Sequence, residues 1–169
     1  KMIYNSYKPT NSKKKLDYFK NYDGLKIINI GRLTDQKDQI TLLKSLNLLA
    51  KNKVNFKCCI IGAGVQKNFL KNYIKSNNLN NFIKLIGYKK NAENYLSCGN
   101  LFILSSKFEG LPNVLIEAQS KNIPIISSDC PTGPREILLN GKLGDLFTVG
   151  NYKNLSKLIK KFKLNNKKL

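Results

Sequence analysis

The chain has 169 residues, 41% of them apolar and 9% aromatic, and a formal charge of +20 at pH 7. That length suits one domain of the usual size, about 150 residues, and the apolar content excludes an intrinsically disordered chain. No apolar run approaches the roughly 20 residues of a membrane-spanning helix, and the opening KMIYNSYKPTNSKKK lacks the apolar stretch of a signal peptide. The expectation is a cytoplasmic protein.

Of the 30 basic residues 28 are lysine, and 23 other residues are asparagine, spread over every segment. Even spreading reads as codon drift toward AAA and AAT at surface positions. A nucleic-acid surface would instead gather arginine and aromatic residues on one face, so no nucleic-acid partner is expected. Attraction to an anionic membrane surface, at the inner face, or to a phosphate-rich ligand stays open. The two arginines, Arg32 and Arg135, both lie beside motif-like stretches.

The chain has no histidine, which excludes serine–histidine or cysteine–histidine catalysis completed within it. Cys58, Cys59, Cys98 and Cys130 lack C-x-x-C spacing, so no zinc site is expected. Cys58 and Cys59 fall in a strand pattern and are read as small buried hydrophobes facing opposite ways.

In chain order, residues 1–22 read as a lead-in or interdomain connection that opens on a brief extended piece, MIYN. Strand patterns follow at 26–30, 56–61, 82–86, 100–104 and 124–127, with a weaker one near 143–148. Helical patterns lie at 37–51, 66–77, 91–98, 112–121 and 134–139, as in the spacing of Leu42, Leu43, Leu46 and Leu49. An amphipathic helix is expected in the last segment at Leu155, Leu158, Ile159 and Phe162, and residues 165–169 form a basic tail. Strands apolar on both faces and separated by helices predict an α/β fold, a Rossmann-like doubly wound parallel sheet over residues 23–164. The strands end in IGR, IGAG, IGY, LSS and SSD, so small residues line the carboxyl edge, where open α/β sheets bind ligands.

The stretch SKFEGLPNVLIEAQS, 106–120, carries the chemistry. Pro112 suits the first helical position, and the free amides from Leu111 to Val114 favour an anion or a hydroxyl-rich group. Glu117 lies about one turn inside that helix and Glu109 lies in the loop before it. A carboxylate accepts both hydrogens of a vicinal diol, the polar feature of ribose and of hexoses alike. The cationic half is expected from IGRLTDQKD, where Gly31 ends a strand, Arg32 follows and Lys37 opens the next helix. A dinucleotide-binding dehydrogenase is disfavoured because residues 62–67, GAGVQK, do not complete G-x-G-x-x-G. A non-catalytic nucleotide- or nucleic-acid-binding module is the remaining alternative.

Taken together, IGRLTDQKDQITLL, IIGAG, IKLIGY, LFILSSKFEGLPNVLIEA and PIISSDCPTGPREIL resemble, in this order, the donor-binding half of GT-B retaining glycosyltransferases of family 4, the group 1 glycosyl transferases. The resemblance implies transfer of a hexose or N-acetylhexosamine from a nucleotide-diphosphate sugar, UDP-linked by expectation. The acceptor would be a glycan or lipid-linked glycan in cell-surface polysaccharide synthesis. It implies that Arg32 and Lys37 hold the diphosphate and stabilise the leaving charge, and that Glu109 contacts the donor sugar. The amides of Gly110, Leu111, Asn113 and Val114 would surround sugar and phosphate, Glu117 would hold the ribose diol, and Tyr88 would lie against the base. Gly62 and Gly64 would let the backbone come close, and Gly31 would line the donor site. No metal and no further cofactor are implied, and an N-terminal acceptor-binding domain is the expected partner.

Overall fold

The structure, a computed structural model, describes residues 16–166; MIYN and the end of the basic tail lie outside the described residues. Six strands, β1 (Leu25–Ile30), β2 (Phe56–Ile61), β3 (Ile83–Gly87), β4 (Leu101–Leu104), β5 (Ile125–Ser128) and β6 (Asp145–Phe147), form a single sheet in the order β3-β2-β1-β4-β5-β6. Every adjacent pair is parallel. The expected α/β doubly wound sheet is the observed architecture, with strand boundaries displaced by one or two residues.

Apolar residues on both faces of these strands require cover on both sides. On one face, α1 (Gln39–Lys51), α2 (Lys67–Ser76) and α5 (Tyr152–Asn165) pack Leu42, Leu46, Leu70, Ile74, Leu155 and Ile159 against the sheet. The other face is covered by α3 (Asn113–Ser120), the short α4 (Pro134–Ile137) and a 3-10 segment, Ala92–Cys98, where the spacing predicts an ordinary helix. Cys58 joins the first core and Cys59 the second, as strand alternation requires, and among the described residues no disulfide is formed. Part of the lead-in also packs here. Phe19 is buried against the second core, the Tyr18 hydroxyl donates to Asn81 O, and Lys57 Nζ lies over the rings of Tyr18 and Tyr22.

Asparagine has a structural use that composition concealed. Among the described residues nine non-glycine residues have positive φ, and five of them, Asn21, Asn78, Asn91, Asn122 and Asn140, are asparagine, the residue that adopts the left-handed region most readily after glycine. They close turns between elements. Codon drift therefore does not account for all of the asparagine.

Among the described residues no helix is long and apolar enough to cross a membrane. Phe102, fully buried on β4, carries much of the second core. Phe102→Ala is expected to lower stability by about 3–5 kcal/mol in denaturant melts. Val65→Ala, at a side chain 90% exposed, should stay within about 0.5 kcal/mol of the parent.

Candidate functional site

The strand order reverses between β1 and β4, and a doubly wound sheet opens a crevice at that switch point, outside the carboxyl ends. The two strands pair in register only at Ile27↔Leu101 and Ile28↔Phe102. One residue further on, the buried Asn29 side chain donates from Nδ2 to Ile103 O at 2.9 Å. A side-chain amide thus bridges the strands where their ladder ends. The loops that leave them, 31–38 and 105–112, carry half of the residues that the sequence assigns to a site, Arg32, Lys37 and Glu109 among them.

Side chains lace these loops together. Lys107 N donates to Gln36 O at 2.8 Å, Gln36 Nε2 to Phe108 O at 3.0 Å, and Ser105 Oγ to Lys37 O at 2.9 Å. Lys107 Nζ adds an exposed pair with Asp35 at 2.7 Å. At the centre Lys37 Nζ meets Glu109 Oε1 at 2.6 Å, with side chains only 17% and 6% exposed. Ser106 Oγ donates to the same oxygen at 2.6 Å. Both bonds fall on Oε1, and among the described residues no bond is made to Oε2.

Lys37 ends a 3-10 turn, Asp35–Lys37, rather than opening α1, and Asp38 in the left-handed region separates the two. That break turns Lys37 inward. Arg32 remains exposed, leaning on Gln36 Oε1 at 3.4 Å, and Gln39 Nε2 holds its carbonyl at 2.9 Å. The two expected diphosphate cations therefore differ, one displayed and one paired with the expected sugar-binding acid.

The loop after β2 runs against the loop after β1. A Cβ on Gly62 would lie 1.9 Å from Gly31 O, and one on Gly64 would lie 2.3 Å from Leu33 O. In the described structure these glycines allow backbone to meet backbone and bring 62–64 beside Gly31 and Arg32. Gly110 differs, with open space around the place of a Cβ.

α3 begins beyond Gly110-Leu111, with Pro112 at its N-cap position, at ψ 91, rather than as its first helical residue. No side chain caps this start, so the amides near Asn113 and Val114 face the crevice without a local carboxylate or hydroxyl partner. Glu117, half-buried one turn inside α3, has its carboxyl pushed above the ordinary range by burial and, secondarily, by the charge of Glu93. Tyr88 follows Gly87 at the end of β3 and is 75% exposed.

Several participants escape a reading of the sequence. Ser105, Ser106 and Ser128 look like small residues that leave room, yet they are fully buried and used as clamps, with Ser128 Oγ donating to Ser106 O at 2.7 Å. Thr132 Oγ1 donates to Glu109 O at 2.5 Å, and Arg135 pairs with Asp129, which fixes the turn beneath the 109–112 loop. Glu93 belongs to a 3-10 segment far from α3 in the chain, and only their packing brings its charge near Glu117. The serine pairs at two strand ends, LSS and SSD, were the only signal available for the clamps.

The chain matches known proteins in sequence and in fold. The family description for glycosyl transferases group 1 matches residues 11–169. An uncharacterized glycosyltransferase of Methanocaldococcus jannaschii is 48% identical over 116 residues, 69% of this chain and 29% of that protein. The N-acetylgalactosamine-N,N'-diacetylbacillosaminyl-diphospho-undecaprenol 4-alpha-N-acetylgalactosaminyltransferase of Campylobacter jejuni is 33% identical over 125 residues, 74% of this chain and 33% of that one. The chain thus spans about a third of the length of the curated relatives it matches. Among solved structures, TarM of S. aureus superposes with TM-score 0.81 at 24% identity over 96% of this chain and 32% of that one. HepE of Anabaena, solved with UDP, gives TM-score 0.75 at 19% identity over 86% and 41%. The fold is the Rossmann-like one of GT-B glycosyltransferases, and the chain belongs to the group 1 glycosyl transferase family.

Proposed function

We propose that this chain is the donor-binding domain of a retaining glycosyltransferase of family 4 that uses a UDP-linked hexose or N-acetylhexosamine. The observation that carries the reading is the pairing of Lys37 with Glu109 at the switch point, with Arg32 exposed on the same loop as Lys37 and α3 starting without a side-chain cap. The diphosphate lies between Arg32 and the α3 amides, where fixed donors stabilise the negative charge that grows on the leaving group. Glu109 turns its open oxygen to the sugar hydroxyls, Glu117 accepts the ribose diol, and Tyr88 covers the base. Lys37 is shared between Glu109 and the diphosphate, so ligand binding exchanges one anion for another at the same ammonium. Fixed cations do this work without a metal ion. The acceptor, a glycan or lipid-linked glycan of cell-surface polysaccharide synthesis, comes from a second, N-terminal domain across the crevice. HepE solved with UDP and the Campylobacter enzyme named for a diphospho-undecaprenol acceptor support this donor and acceptor class.

Calorimetric titration with UDP, GDP and ADP tests the donor site. UDP is expected to bind, and both Glu117→Ala and Arg32→Ala to weaken it about tenfold or more. Unchanged UDP affinity in either variant would remove that residue from the site, and binding of GDP or ADP alone would reassign the base. Because Lys37→Ala leaves a buried carboxylate unpaired, it should also lower stability by up to about 3 kcal/mol, largely restored in Lys37→Ala/Glu109→Gln. Melting curves on the single and double variants read this apart from ligand affinity.

The pH dependence has a definite sign. Glu117 accepts both diol hydrogens only when ionised, and its carboxyl is raised. Affinity for a UDP-sugar should therefore fall as pH drops through that raised value, at higher pH than an ordinary glutamate would give. Glu93→Gln removes the secondary cause and should shift the midpoint downward. For folding, the ionised, half-buried carboxyl is a cost present above its folded-state value and absent below its unfolded-state value, so Glu117→Gln should stabilise at neutral pH. An affinity profile that ignores both substitutions would exclude Glu117 from the diol contact.

A further inference from the structure

Acidic residues are absent from 39–92 and from 146–169, whereas the ten in the chain fall within 17–38 and 93–145. These two acid-free stretches contain α1, α2 and α5, the three helices that form one face of the domain. That entire helical layer therefore carries lysine with no carboxylate to offset it. Codon drift toward lysine does not explain the pattern, since GAA and GAT are as rich in A and T as many of the codons that stayed.

The lysines point outward. On α5 Lys153, Lys157, Lys160 and Lys161 are exposed along one stripe, opposite the buried Leu155 and Ile159. On α2 Lys67, Lys71 and Lys75 are exposed in the same way. Where the end of α5 meets the α1–β2 turn, Lys53, Lys160 and Lys163 surround a groove of about 400 Å³ floored by Val54 and Leu164, the latter 59% exposed. Phe69 on α2 is 53% exposed. Exposed apolar side chains ringed by lysines match an anionic lipid surface, where the apolar groups enter the headgroup layer and the ammonium groups meet phosphate. A nucleic acid would be met by arginine and stacked aromatics, and this layer has no arginine.

We propose that the α1–α2–α5 face is a docking surface for anionic membrane. The layer lies along the flank of the sheet, and the donor crevice opens at the carboxyl edge. Docking by this flank leaves the crevice open beside the bilayer, within reach of an acceptor held there. The inference goes beyond the donor-site reading, and its test needs no nucleotide, so the two can fail separately.

The test is co-sedimentation with phosphatidylcholine vesicles, with and without one third phosphatidylglycerol, at low and high salt. Lys71→Glu/Lys157→Glu/Lys160→Glu is compared with a charge-matched control, Lys20→Glu/Lys90→Glu/Lys142→Glu, all six positions being exposed. Binding is expected only with phosphatidylglycerol, to weaken with salt, to fall about tenfold or more in the first variant, and to change about twofold or less in the control. Absence of binding to the anionic vesicles, binding without preference for them, or equal losses in both variants overturns the proposal. Displacement from vesicles by a short oligonucleotide at low concentration overturns it in favour of nucleic acid.

Discussion

A buried ion pair at the switch point of the sheet organises what surrounds it. A carboxylate as enclosed as that of Glu109 is unfavourable unless a cation and hydrogen bonds compensate it. Lys37 and Ser106 supply both; Ser106 lies three residues away in the same loop, whereas Lys37 reaches Glu109 only because the loops after β1 and β4 are drawn together. The requirement to neutralise one oxygen therefore dictates the course of two segments that lack regular structure of their own. The same requirement leaves chemistry available, since Oε2 and the ammonium are held in place with capacity for a further partner.

The surrounding contacts suit that arrangement. Loops positioned by side-chain hydrogen bonds to carbonyls, as with Ser105, Gln36 and Thr132, are fixed without occupying the crevice. Gly62 and Gly64 achieve the same end by having no side chain, so that a third loop closes against the loop after β1. α3 then presents an uncapped start to the space that remains. Arg32 is displayed on the loop after β1, and Glu109 and Glu117, before and within α3, differ in burial.

The two faces of the sheet divide the remaining work. One carries three regular helices over a continuous aliphatic core and bears the cationic layer; the other carries shorter helices and 3-10 segments, and with them Glu93 and Glu117. Regular helices tolerate lysine on their outer stripe because the stem packs while the charge stays in water. Irregular segments need left-handed residues to close, and asparagine at 91, 122 and 140 meets that need there.

Fold class, strand and helix order, and the candidate residues were legible in the chain because they rest on local pattern. The alternation and helical spacing of apolar residues name the elements, and paired motifs such as those at Arg32–Lys37 and Glu109–Glu117 name the candidate site segments. Partners were not legible. That Lys37 faces Glu109 across 72 residues, that Glu93 raises the Glu117 carboxyl, and that the strand-end serines clamp rather than make room all depend on which loops the strand order sets side by side. Spacing along a chain encodes which way a side chain faces within its own element, whereas burial and electrostatic coupling between elements exist only once the sheet has assembled.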